Sequence, residues 1–357
     1  MTKPTLLIIH GMGNHTEQSF KEKFDSTMVD VFKLYPSLST KTFADFVDVK
    51  AIPYNSFFED YRKNYDGSDN KEKFAQLMQE LPSVTATKIF KKILNLQSDI
   101  AGDDFFSSHW LDVLFYRFST IGTPVQIAVA KAVNQAIQDE GGAARRVHVL
   151  GHSLGSAVLH DSLAKLYGES SNDFSDPLSP VTHKLGSLHF VANTSKLLQS
   201  FIDVKKSVVK PDHDGCTRRY REYRHSLDPI ARVKPFDPTG NGGWIGHYPW
   251  EQGYYKLHNL TSVTNQHGNM HSIEHYLFNP KMHLQIFEDV AGIDLPETEI
   301  SQGKNEFLQL TLQKVAEKAE TAFSNISISD KATVAEFVKA YQTLKNFVED
   351  LGGQLDV

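Results

Sequence analysis

Of the 357 residues only one, Cys216, is a cysteine. A single thiol closes no internal disulfide and builds no cysteine-based zinc site, which argues against a disulfide-stapled secreted scaffold. Long apolar runs are missing as well. Nothing approaches the ~18 consecutive apolar residues of a spanning helix. The first run, Leu6 to Ile9, is too short for a signal peptide, and no small-residue cleavage site follows it. The expectation is a soluble cytoplasmic protein, although export without a cleaved signal would leave no mark. Nor is one sign of charge in excess. Lys and Arg number 37 against 43 Asp and Glu, a formal charge of −6. Nucleic-acid binding, which needs a concentrated basic surface, is not expected. Internal repeats and low-complexity tracts are absent too. What is there is an ordinary globular balance, 40% hydrophobic and 22% charged, which speaks against wholesale disorder. At about 150 residues per domain the length fits roughly two domains, or one large α/β domain with an insertion.

Short apolar runs that feed into turns read as buried strands. They occur at Thr5 to His10, Phe46 to Tyr54, Arg145 to Leu150 and Leu185 to Ala192, with weaker candidates at Arg219 to Arg224 and Leu257 to Thr264. Between them, Glu17 to Leu34 carries Phe20, Phe24, Met28, Val31 and Phe32 at helical spacing and is closed by Pro36, and Leu154 to Tyr167 is helical in period. Strands alternating with helices predict a doubly wound, mostly parallel sheet of about six strands. Phe57 to Gly141 breaks the alternation and reads almost wholly helical, either as a cap or lid inserted over the sheet or as packing helices beside one crossover helix. A helical extension, residues 297–357, follows a main domain of residues 1–296, with patterns near Lys304 to Phe323 and Ala332 to Leu351.

Gly151-His152-Ser153-Leu154-Gly155 matches G-x-S-x-G between a strand-like run and a helical one. That strand–turn–helix context is what a nucleophile elbow needs, because the sharp turn tolerates only small neighbours. Gly151, Gly155, Ser156 and Ala157 supply them. A serine hydroxyl is a poor nucleophile at neutral pH, so Ser153 requires a base. A glycine-rich turn holding an incidental serine is the plain alternative.

His10-Gly11-Met12-Gly13 after the first strand, GHSLG after the third, and the segments SLDPIA and HSIEHYL together resemble the α/β-hydrolase superfamily. Its lipases and esterases, class 3 lipase-like members included, are the most similar. The resemblance runs from about Thr5 to Phe278; it leaves the C-terminal extension and much of Phe57 to Gly141 unexplained. It implies a Ser–Asp–His chain order. Asp228, in Ser226-Leu227-Asp228-Pro229-Ile230-Ala231, is then the acid, with Asp203 and Asp237 as rivals. His271, in His271-Ser272-Ile273-Glu274-His275-Tyr276-Leu277, is the base, with His267 as the nearest rival. His247, His258, His275 and His283 are the remaining histidines of that region. The oxyanion hole is implied at the backbone N–H groups of Met12 and Leu154, while His10 is read as a brace of its loop and Cys216 has no role. The expected activity is hydrolysis of carboxylic esters through an acyl-enzyme, with no metal or organic cofactor. A thioesterase or amidase would use the same groups.

Two other classes compete. His271-Ser272-Ile273-Glu274-His275 also satisfies H-x-x-E-H, the zinc-peptidase pattern, if one helix carries both histidines. A hydrolase scaffold used for binding alone is the other. Lipid or phospholipid esters are the favoured substrates. Val84 to Gln97 is basic and amphipathic, either a helix for an anionic lipid surface or a packed cap helix. The aromatic- and glycine-rich Pro238 to Tyr255 lines the mouth of the site or anchors a long loop. Arg218, Arg219, Arg221 and Arg224 form a basic cluster, read as a solvated strand edge or a contact for a phosphate headgroup. Protein partners leave no signature.

Overall fold

The computed structural model describes residues 3–11, 16–54, 116, 122–168, 177–198, 207–211, 213–228, 231, 235–238, 254–264 and 270–311. Within them lies one sheet of six strands: β1 (Thr5–Ile9), β2 (Asp48–Ala51), β3 (Val147–His152), β4 (Ser187–Val191), β5 (Tyr220–His225) and β6 (Tyr255–Leu260). The order is β2-β1-β3-β4-β5-β6 and every pair is parallel. β1, β3 and β4 are buried along their whole length. Parallel strands covered on both faces carry apolar residues on both, and the apolar residues Leu6 to Ile9, Val147, Val149, Leu150, Leu188, Phe190 and Val191 made these three legible as strands.

Helices cover both faces. On one, α2 (Gly122–Asp139) and α3 (Leu154–Leu166) pack over Leu7, Ile9, Val149, Leu188 and Phe190. On the other, α1 (Glu17–Lys33), α4 (Ile273–Phe278) and α5 (Pro280–Ile286) pack over Leu6, Ile8, Leu150, Val191 and Leu260. Thr16 caps α1 by accepting the Ser19 N–H at 3.1 Å, Glu17 and Lys33 complement the helix dipole, and Phe20, Phe24, Met28, Val31 and Phe32 are its buried face. Helices on both sides of a parallel sheet make an α/β fold.

Of the stretch from Phe57 to Gly141, the described part is Tyr116 and α2 with its flanks. α2 buries Val125, Val129, Val133 and Ile137 as the crossover from β2 to β3, so this end of the stretch is sheet-covering structure. Val84 to Gln97 lies outside the described residues. Of the C-terminal extension, α6 (Glu297–Gln309) starts at Glu297 rather than near Lys304. Gly292, at φ 62°, ends the π turn Phe287–Ala291, and Pro296 precedes the first residue of α6. α6 packs on the main body: Phe307 meets the Phe278 ring at 5.8 Å, and Glu299 accepts the Ser37 hydroxyl at 2.7 Å. Among the described residues no helix is long and apolar enough to cross a membrane.

From β1 the chain runs outward to β2, and from β3 it runs the other way to β4, so the strand order reverses between β1 and β3. In sheets of this kind ligands bind beyond the carboxyl ends of the strands at such a reversal. The GHSLG turn leaves β3 at this point.

Candidate active site

Ser153 follows β3 directly and has φ 55° and ψ −130°. Only one other described residue besides glycine, Ala192, has positive φ. This region is nearly glycine-only and costs about 1–3 kcal/mol, so the surroundings must hold it. They do so through both ends of the residue. The Ser153 N–H donates to Val191 O at 2.9 Å. Its carbonyl accepts three donors: the Ser156 N–H at 2.9 Å, the Ser156 hydroxyl at 2.5 Å and the Thr194 hydroxyl at 3.0 Å. Ser156 Oγ also accepts the Thr194 N–H at 3.0 Å. Small neighbours are required as well. A Cβ on Gly155 would stand 2.3 Å from His10 O, and one on Gly11 would stand 2.6 Å from Ser153 Cβ.

The turn delivers Ser153 Oγ to His271 Nε2 at 2.9 Å, and His271 Nδ1 lies 2.9 Å from Asp228 Oδ2. All three residues are buried or nearly so. β5 ends at His225, and Asp228 sits in the turn beyond it. His225 Nδ1 accepts the Leu227 N–H at 3.1 Å and so braces this turn. His271 immediately precedes Ser272, which caps α4. Its backbone carbonyl accepts from His152 Nε2 at 2.7 Å. Burial, and then the neighbouring His271, push the His152 pKa down to about 3. His152 is therefore neutral and donates from Nε2.

Asp228 is fully buried, and burial by itself would raise its pKa. The facing His271 and the bonds from His271, the Tyr276 hydroxyl and the Ala231 N–H outweigh that and hold the carboxyl below its ordinary value. Tyr276 donates to Asp228 Oδ2 at 2.7 Å while accepting the His225 N–H at 3.1 Å. An ionised Asp228 only accepts hydrogen bonds, so the proton between it and His271 sits on Nδ1. Nε2 of a neutral His271 then has a lone pair, and the Ser153 hydroxyl points its hydrogen there. Leu154 is the first residue of α3, and its N–H is among those a helix leaves without an internal partner.

Ser153, His271 and Asp228 meet in one hydrogen-bonded line, with Leu154 beside it. Met12, His247, His267 and Asp203 lie outside the described residues. Asp237 stands near Glu222, whose burial first and Asp237 among later causes raise its pKa to about 7. His10 is buried in the loop after β1, stacked on Tyr54 at 4.9 Å, and Tyr54 donates to its carbonyl. His258 stacks on Tyr223, His275 packs edge-on to His225, and His283 bonds Tyr35 at 2.6 Å. The H-x-x-E-H pattern fails at its premise: α4 begins at Ile273, so His271 is not on the helix that carries His275. Both ring nitrogens of His271 are engaged, and Glu274 faces Lys23 at 3.4 Å. Sequence reasoning gave no part to His152, Thr194, His225 or Tyr276, and counted Ser156 only as a small residue. A cavity of about 990 Å³ runs along β6 beside α5 and α6 and includes none of the three aligned residues.

Compared with family models, curated proteins and solved structures, the chain matches none.

Proposed function

We propose that this chain is a serine hydrolase of the α/β-hydrolase type that cleaves carboxylic esters. The observation that carries the reading is the unbroken line Ser153–His271–Asp228, with the serine on a strained turn at the sheet's reversal point. Ser153 Oγ attacks the ester carbonyl as His271 Nε2 takes its proton. The imidazolium so formed faces ionised Asp228, which is already desolvated and aligned. Negative charge on the tetrahedral oxygen is met by the Leu154 N–H at the start of α3, and losing one such donor typically costs ~3–4 kcal/mol of transition-state stabilisation. His271 returns the proton to the leaving alcohol, and water releases the acyl group by the same steps. The groups that do this belong to the chain itself.

The test is labelling with a fluorophosphonate followed by peptide mapping. Label on Ser153, absent in Ser153→Ala, is the expected result. A chain that hydrolyses esters without taking up label, and still does so as Ser153→Ala, would overturn the reading. An ester series of increasing acyl length then tests the lipid preference, which a short-chain optimum would remove.

A further inference from the structure

The opposite end of the sheet holds a second set of polar groups that this chemistry does not use. At the amino ends of the strands lies an open cavity of about 540 Å³, lined by Lys3, Arg145, Arg146, Arg218 and Arg219. Five cations on a chain of net charge −6 are a local reversal of sign. The two carboxylates at the cavity are already engaged. Asp289 takes Arg221 through two bonds of 2.6 and 3.1 Å and Arg219 at 3.0 Å. Asp45 accepts the Thr42 N–H at 2.7 Å. Arg146 is paired with Glu140 at 2.6 Å, whereas Arg145 and Arg218, both exposed, have no side-chain partner among the described residues.

The cavity also reaches a buried donor. His148 lines it, and a file of hydrogen bonds runs from this histidine into the protein. His148 Nδ1 meets Ser187 Oγ at 2.7 Å, Ser187 Oγ meets His189 Nε2 at 2.9 Å, and His189 Nδ1 meets the Tyr223 hydroxyl at 3.0 Å. The far end fixes the direction of every proton. The Tyr223 hydroxyl is fully buried and keeps its proton, since burial raises its pKa well above the ordinary value. Its one hydrogen-bond partner among the described residues is His189 Nδ1, so Tyr223 donates there. His189 is neutral, because burial holds its pKa well below the usual value, so its proton lies on Nε2 and is given to Ser187. Ser187 then donates to His148 Nδ1. Burial lowers the His148 pKa to about 4, so its single proton must lie on Nε2. That N–H belongs to a residue 6% exposed that borders the cavity, and no described residue accepts it.

We propose that this cavity binds a phosphate group, with the His148 Nε2–H donating from its wall and Arg145 and Arg218 closing on the phosphate oxygens from the rim. Arginine forks match phosphate oxygens in pairs, and a buried neutral donor adds a bond without adding charge to the interior. The cavity is open and has room for a phosphate carried on a larger body as well as for a free one. A phosphorylated small molecule and a phosphorylated lipid headgroup offer the same chemistry.

The test uses the whole chain at constant ionic strength. Calorimetric titrations with inorganic phosphate, glycerol 3-phosphate and phosphatidylcholine vesicles with or without phosphatidic acid are compared between wild type and Arg145→Gln/Arg218→Gln. In parallel, ¹⁵N-histidine spectra report the protonated Nε2 of a buried imidazole. Saturable binding of at least one phosphate ligand, a shift of that imidazole signal, and roughly tenfold or greater weakening in the double variant at unchanged Tm are expected. Binding of soluble phosphates assigns a free ligand; binding only of the phosphatidic acid vesicles assigns a headgroup. Cations that merely complement the helix C-termini gathered here would give no saturation and no imidazole shift, and that result overturns the proposal. So does binding of poly-glutamate with none of phosphate, which would mark a surface for acidic protein.

Discussion

Among the described residues, two serines stand within 2.9 Å of a histidine nitrogen, at opposite ends of the same sheet. Ser153 faces His271 at the carboxyl end. Ser187 lies between His148 and His189 at the amino end. Distance therefore does not separate a nucleophile from a structural hydroxyl. Three other features do. Ser153 sits on a strained turn, whereas Ser187 is an ordinary strand residue. His271 is backed by a buried carboxylate, while the Ser187 histidines end on a neutral phenol. Finally, His148 and His189 are held uncharged by burial, so neither is suited to keep the proton that an activated serine must give up. In the proposed chemistry the first line of groups moves a proton, while the second fixes where protons stay.

The sharpest way to break this contrast is to exchange the serines for alanine one at a time. Ser153→Ala should lower ester turnover by on the order of 10⁴-fold or more. Ser187→Ala should keep turnover within severalfold of wild type and instead lose ~1–3 kcal/mol in denaturant unfolding, because two buried imidazole nitrogens lose their partner. Equal loss of turnover in both would erase the distinction. Asp228→Asn tests the carboxylate behind His271, and should reduce kcat by about 10⁴-fold in initial-rate assays with the fold intact, since an amide no longer fixes the Nδ1–H tautomer.

Tyr276→Phe is the next step down. It removes a donor from Asp228 and leaves the His225 N–H without its acceptor, for an expected loss of ~1–3 kcal/mol in stability. It also has a signature in pH. The folded pKa of Asp228 lies below its unfolded value, so its contribution is complete above the ordinary carboxylate value and fades as pH falls through the lowered folded value. Without Tyr276 the folded pKa rises, and the acid loss of stability should begin at higher pH in unfolding curves taken across the acid range. A curve parallel to wild type would show that Tyr276 only packs. The smallest effect is expected from Ser156→Ala. Ser153 O keeps two of its three donors, so ~1–2 kcal/mol of stability and a few-fold in kcat should be lost, read by thermal unfolding and steady-state rates.

The strands were legible from short apolar runs and Ser153 from its small-residue turn, whereas Asp228 and His271 stood out only through the likeness of SLDPIA and HSIEHYL to lipase segments. What escaped depends on register between distant segments. Thr194 reaches Ser153 O only because β4 pairs with β3, and His152 finds the His271 carbonyl across 119 positions. The file from His148 to Tyr223 did leave a trace, polar residues inside strands: His148 in β3, Ser187 and His189 two apart in β4, and Tyr223 in β5. Among sixteen histidines that trace was too faint to separate from chance. Asp289, which anchors Arg221 beneath the sheet, carries no local signal because its partner lies 68 positions away.

The missing side chain at Gly155 has a practical side. With His10 O only 2.3 Å from where its Cβ would stand, the first strand and the serine turn share a surface with no slack. A selection for altered substrate scope in the proposed hydrolase would find positions 11 and 155 silent. Variation in the proposed hydrolase then has to come from positions other than these two glycines, which pack the loop after β1 against the serine turn.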